Sequence, residues 1–135
     1  MSVTPIIDSI LGEIADCGNA SFSAAVPHQD QPIQIVLPAG EVEDACVDQA
    51  ALSSARRIAQ DLASTVEQAL GFLATFRGFG GLARVRAIFS LQRIVTTSKA
   101  GRYWLEFRCS EDRHPEAIWR VEFESWIPTA QGRDD

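Results

Sequence analysis

Residues 48–81, DQAALSSARRIAQDLASTVEQALGFLATFRGFGG, decide the fold. Leu52, Ala55, Ala59, Leu62, Val66, Leu70, Leu73 and Phe76 recur at spacings of three and four, so they form one apolar stripe when wound at the helical period. Asp48 stands where an N-cap accepts the first free amides, and Val47 can pack on Leu52 as a staple. Gly78, Gly80 and Gly81 follow the stripe and stop it. The reading is one long amphipathic helix that needs an apolar surface to lie on.

Outward from that helix the period changes from 3.6 to two. Upstream, Phe22, Ala24 and Val26 alternate with Ser21, Ser23 and Ala25 before Pro27, and Ile33, Ile35 and Leu37 alternate with Gln34 and Val36 before Pro38-Ala39-Gly40. Ile6, Ile10 and Ile14 are read as one face of a further strand, with a turn at Cys17-Gly18-Asn19; an amphipathic helix over 5–16, begun at Pro5, competes there. Downstream, Val85, Ala87, Phe89 and Leu91 alternate, and Ser98-Lys99-Ala100-Gly101 forms a hairpin turn. Tyr103, Leu105 and Phe107 then alternate with Trp104, Glu106 and Arg108, and Trp119, Val121 and Phe123 with Arg120, Glu122 and Glu124. The expected fold is α+β: an antiparallel sheet of about five to six strands, in the order β-β-β-α-β-β-β, with one long helix on one face. Residues 1–135 read as a single domain, with 130–135 a frayed tail.

The bulk numbers exclude several classes. With 135 residues, 46% hydrophobic and 22% charged, the chain can bury a core and is not of disordered composition. No apolar run approaches the roughly 20 residues of a membrane helix, and Met1 to Ile14 carries acids without Lys or Arg, unlike a secretory leader. Cys17, Cys46 and Cys109 are few, odd in number and dispersed, which fits reduced thiols and a cytoplasmic location. Charge is segregated along the chain. Residues 1–55 hold eight acids and no Lys or Arg, residues 56–110 nine bases against three acids, and residues 111–135 seven acids against three arginines. The net charge of −6 disfavours nucleic acid and favours encounter with basic partners, although an acidic surface also serves solubility.

Catalytic and metal chemistry finds little purchase. Cys17, His28, Cys46, Cys109 and His114 are scattered singly, without the paired spacing of a metal site. Neither histidine accompanies a glycine-flanked Ser or Cys, and Cys109 continues the core-facing alternation of its strand. Gly78-Phe79-Gly80-Gly81 lacks the preceding strand and following Lys-Ser/Thr of a phosphate loop. Arg84, Arg86 and Arg93 lack interleaved exposed aromatics, so they read as partners for the sheet's acids. No cofactor, metal or catalytic residue is expected, and the chain reads as a non-enzyme.

What remains is a candidate interface. If Tyr103, Leu105 and Phe107 face the core, Trp104 lies on the wet face with Glu106 and Arg108, and by the same parity Trp126 joins Arg120, Glu122 and Glu124 there. Tryptophan among charges is a composition typical of interface anchors; capping of Trp104 by the tail or a neighbouring strand is the plainer account. Glu41, Glu43 and Asp44 form an acidic connection that would dock a basic partner.

The order Asp8-Ser9-Ile10-Leu11-Gly12-Glu13-Ile14, a short strand, Ile33-Gln34-Ile35-Val36-Leu37, and Gln49 leading a long helix resembles small bacterial domains associated with polymorphic toxin systems as immunity proteins. Tyr103-Trp104-Leu105-Glu106-Phe107 and Trp119-Arg120-Val121-Glu122-Phe123 fit their final paired strands, while an aromatic expected near Leu11 is missing. The resemblance implies a cytoplasmic antidote, monomer or homodimer, that binds a cognate and basic toxin through Trp104, Glu106, Glu122, Glu124 and Trp126. Two other readings stand beside it: a small-molecule-binding or enzymatic domain with a pocket between helix and sheet, and a homo-oligomeric structural or regulatory protein.

Overall fold

The computed structural model describes residues 6–40 and 46–134. Among the described residues, eight strands form one sheet in sequential order: β1 Ile6–Asp8, β2 Gly12–Gly18, β3 Ser21–His28, β4 Gln31–Pro38, β5 Phe89–Thr96, β6 Tyr103–Cys109, β7 Ile118–Glu124 and β8 Ile127–Asp134. Between β4 and β5 run α1 Gln49–Gln60, α2 Leu62–Ala74, a 3₁₀ turn Arg77–Phe79 and α3 Leu82–Ile88. Every neighbouring pair is antiparallel except β4 and β5, which run parallel because a helical crossover returns the chain to the same end of the sheet. The molecule is two four-stranded meanders joined at their inner edges.

This corrects the expectation of five to six antiparallel strands under one long helix in β-β-β-α-β-β-β order: the sheet is mixed, it has eight strands, and the helical segment is three helices. Four local causes account for the difference. Near the start, the Asp8 carboxylate accepts the amides of Ile10 and Leu11, and Gly12 takes φ +74°, so the expected single strand folds into the β1–β2 hairpin. The apolar stripe is interrupted at Asp61, whose φ −135° and ψ 40° leave the helical region and separate α1 from α2. Val85 and Ala87 were expected to alternate in a strand; they lie in α3, where Val85 is buried and Ala87 exposed. The C-terminal residues expected to fray pair with β7 instead, through Asp134.

The rest follows the pattern in the sequence. Asp48 caps α1 by accepting the Ala51 amide at 2.9 Å. Inward residues of the strands, among them Phe22, Ile35, Leu37, Ile94, Leu105, Phe107, Val121 and Phe123, meet Leu52, Ala55, Ile58, Val66, Ala69 and Leu73 of the helices in one continuous core. All three helices lie on that face. Among the described residues no element covers the other.

An ion pair between the buried Asp8 and the partly exposed Arg56 ties the first helix to the sheet edge. Asp8 accepts from Arg56 Nε at 2.8 Å and Nη2 at 2.5 Å as well as from the two turn amides. The Arg56 hydrogen bonds hold its pKa at about 2, against an ordinary 3.8; burial works against them, and the amides assist. The unfolded chain takes up this proton near its ordinary pKa, so the contribution is complete above that value and disappears as pH falls toward about 2. Asp8→Asn is therefore expected to be less stable than the parent at neutral pH, with the gap closing as pH falls from about 4 to about 2. Urea midpoints measured across that range check it, and a gap independent of pH would show that the carboxylate charge contributes nothing.

Candidate functional site on the uncovered sheet face

The strand period places the site. On β6, Tyr103, Leu105, Phe107 and Cys109 are buried against the helices, so Trp104, Glu106 and Arg108 point the other way. Register then gathers their neighbours. Glu106 stands between Arg93 of β5 and Arg120 of β7, and Trp104 between Val95 and Glu122. Val36 of β4 is opposite Val95 across the parallel junction.

These side chains form a connected row. Arg93 Nε donates to Glu106 Oε1 at 2.7 Å, and Trp104 Nε1 donates to Glu106 Oε2 at 2.9 Å. The Arg120 guanidinium lies 5.9 Å from the centre of the Trp104 ring, and its Nε is 3.4 Å from Asp134 Oδ2. Although on the outer face, Glu106 is only 7% exposed, covered by its partners rather than by another layer. The indole is half-buried and held in one orientation by its own N–H.

Of the residues expected at an interface, Trp104, Glu122 and Glu124 come together. They line a depression of about 270 Å³ with Lys99, Arg102 and Thr129 at the end of the β5–β6 hairpin. Lys99 Nζ is 3.6 Å from Glu124, whereas Glu122 has no ion-pair partner among the described residues. Glu106 lies beside them as the residue that fixes Trp104, not as an exposed acid. Glu41, Glu43 and Asp44 fall outside the described residues.

Trp126 lies elsewhere. Ser125 and Trp126 both take positive φ, 51° and 68°, in the β7–β8 turn, and this swings the indole to the helix face. There it packs 5.8 Å from the Tyr103 ring, with the Arg57 guanidinium 3.8 Å from its own centre. Gly101, at φ +79°, makes room, because a Cβ there would stand 3.0 Å from Trp126 Nε1. Trp126 is a core-margin residue, and the parity that assigned it to the wet face fails because it was counted through a turn.

Charge on the outer face is more balanced than the sequence total implies, since Glu106, Glu124 and Asp134 each have a basic partner. Arg93, read as a partner for the sheet's acids, pairs with Glu106 of β6, whereas Arg84 and Arg86 pair with Glu111 of a loop and Glu67 of α2. Arg120 and the apolar pair Val36 and Val95 escape a reading by segment. Their signal is cross-strand register, and an irregularity in β5 between Leu91 and Arg93 shifts that register.

The other titratable cluster is committed to structure. Asp112 accepts 2.8 Å hydrogen bonds from Trp119 Nε1, Arg133 Nε, Arg133 Nη2 and the His114 amide. The Arg133 bonds foremost hold its carboxyl far below the ordinary range. They tie the β6–β7 loop to β7 and β8. Cys109 and His114 both border the adjoining pocket of about 490 Å³, where Cys109 is buried. No group of three or more His, Cys, Asp or Glu is placed to hold a metal ion among the described residues. No helix there is long and apolar enough to cross a membrane. Comparison with protein-family models, curated proteins and solved structures finds no match to this chain.

Glu106→Ala is expected to cost about 1–2 kcal/mol and to loosen Trp104. The cost stays below that of breaking a fully buried pair because Arg93, 48% exposed, remains solvated when its partner goes. Urea unfolding and the anisotropy of Trp104 fluorescence, in a background with the other two tryptophans replaced by Phe, read the two effects. Unchanged anisotropy would show that Glu106 does not fix the indole.

Proposed function

We propose that this chain is a non-catalytic protein-binding domain whose uncovered sheet face engages a partner, and that the partner is a cognate bacterial toxin neutralised in the cytoplasm. The observation that carries the binding reading is Trp104: a half-buried indole, fixed by its hydrogen bond to Glu106, near the β5–β6 hairpin on a face that no described element covers. An anchor held in one rotamer loses little entropy on association, which is why rigid aromatics dominate interface energetics. The depression beside it, walled by Glu122 and Lys99, gives a partner side chain a polar-rimmed recess. The antitoxin role comes from the resemblance in element order and in the paired Tyr103–Phe107 and Trp119–Phe123 segments.

Steering in this reading rests on the overall charge of −6 and on Glu122, because Glu124 is already engaged by Lys99. The test is affinity capture from the source lysate, followed by kinetics on the purified pair. Trp104→Ala is expected to weaken a one-to-one complex by about thirtyfold, the scale of a hot-spot truncation. Glu122→Lys is expected to slow association at low salt more than Glu124→Lys does. Full affinity in Trp104→Ala would sink the assignment of the face, and a captured partner that is harmless when expressed alone would sink the antidote role.

A further inference from the structure

The parallel junction between the meanders is only three residue pairs long, Gln34–Val36 against Arg93–Val95. The Val36 carbonyl accepts from Thr96 Oγ1 and so faces β5. By the two-residue period Pro32 also turns its backbone nitrogen toward β5, and proline has no hydrogen there to donate. A pair at Pro32 would therefore lack its donor, and on the other side β5 is irregular between Leu91 and Arg93, so the paired stretch ends at Gln34. Beyond that point the strands part. Between them, under α2 and α3, opens a cleft of about 820 Å³, within the range of small-molecule sites.

The cleft is built rather than accidental. Ile33, Val66, Leu70 and Phe89 give it an apolar floor, with Phe107 wholly buried behind them. Its roof is held by Glu67 of α2 and Arg86 of α3, joined by bonds of 2.7 Å from Nη2 and 3.1 Å from Nε to the same Oε2. That pair neutralises itself. At the mouth, on the β3–β4 turn, the Asp30 carboxylate and the His28 ring have no hydrogen-bond or ion-pair partner among the described residues. The charge left over is one carboxylate.

We infer that this cleft binds a small amphipathic cation, an apolar ring or chain carrying a primary amine, with the apolar part on the Ile33–Val66–Leu70 floor and the ammonium group at Asp30. An anionic head is disfavoured because Asp30 stands at the entrance and Arg86 is engaged by Glu67. This site is separate from the Trp104 face and does not depend on it.

Tryptamine is the probe, with indole-3-acetate as the anionic control of the same ring, titrated into methyl-labelled full-length protein and followed by NMR. Saturable shifts of the Ile33, Val66 and Leu70 methyls are expected with tryptamine, and weaker binding with the acid. Asp30→Asn should weaken tryptamine by about threefold to fivefold, the scale of an exposed ion pair. Ala63→Trp, which fills the cleft from an exposed position and spares the core, should abolish the shifts, while Trp104→Ala should leave them intact. The proposal is overturned if tryptamine produces no shifts, if the shifts map outside the cleft, if indole-3-acetate binds as well as tryptamine, or if Asp30→Asn binds tryptamine like the parent.

Discussion

Two meanders that share only three backbone pairs would hinge apart if the sheet alone held them. Individual ladder bonds contribute on the order of 1 kcal/mol net, which is too little to fix the angle between two four-stranded units. The helix layer supplies the rest. Leu52, Ala55, Ile58, Val66, Ala69 and Leu73 pack in one core with Ile35 and Leu37 from one half and with Ile94, Leu105 and Val121 from the other. Each large side chain so buried is worth about 1.5–3 kcal/mol. The crossover is thus the clamp between the halves. Ser54, wholly buried in α1, strengthens it by accepting the Gly101 amide at the far hairpin, as Arg56 does by reaching Asp8 at the opposite end of the sheet.

That dependence explains why the sequence was legible in some places and opaque in others. The period-two segments were readable because each has one buried face, and burial there is decided by the residue's own parity. The Asp48 cap was readable because its mechanism is local. Asp61 was not, since the stripe of Leu52 to Phe76 continues in register across it and only the backbone conformation reveals the break. Residues 82–88 misled for a related reason. Val85 and Ala87 satisfy a strand period, yet the segment has only to bring Val85 into the core, and a short helix does so after the left-handed Gly80 and Gly81. At the C-terminus, Gly132 and the polar residues around it gave no apolar alternation, and β8 is specified by the edge of β7 that it satisfies.

The site was legible to the same extent. Trp104 followed from parity within one strand, and the structure keeps it on the outer face. Trp126 did not, because parity does not survive a turn whose two central residues have positive φ. Glu106 was placed on the correct face and given the wrong role. As one carboxylate among several it reads as a steering charge, whereas its position between Arg93 and Arg120 makes it the holder of an indole. The indole lies only two positions away on the same face, but the burial of Glu106 depends on Arg93 and Arg120, 13 and 14 positions away, which no local pattern encodes.

The features that stand out as available for binding have different physical origins. The outer face is left over from topology: one crossover brings helices to one side of the sheet, and the acids there have been paired with arginines and lysine so that the uncovered layer carries few isolated charges. A face of that composition tolerates water and still presents Trp104. The cleft originates where the parallel ladder stops, beside a β5 irregularity and a Pro32 that has no amide hydrogen to extend the pairing, and this leaves apolar floor residues beneath an opening that neither meander closes. Restoring a donor at position 32 would extend the ladder only if β5 also lost its irregularity between Leu91 and Arg93. Two independent departures from regular pairing thus keep the cleft open, and a single substitution at either one leaves the other in force.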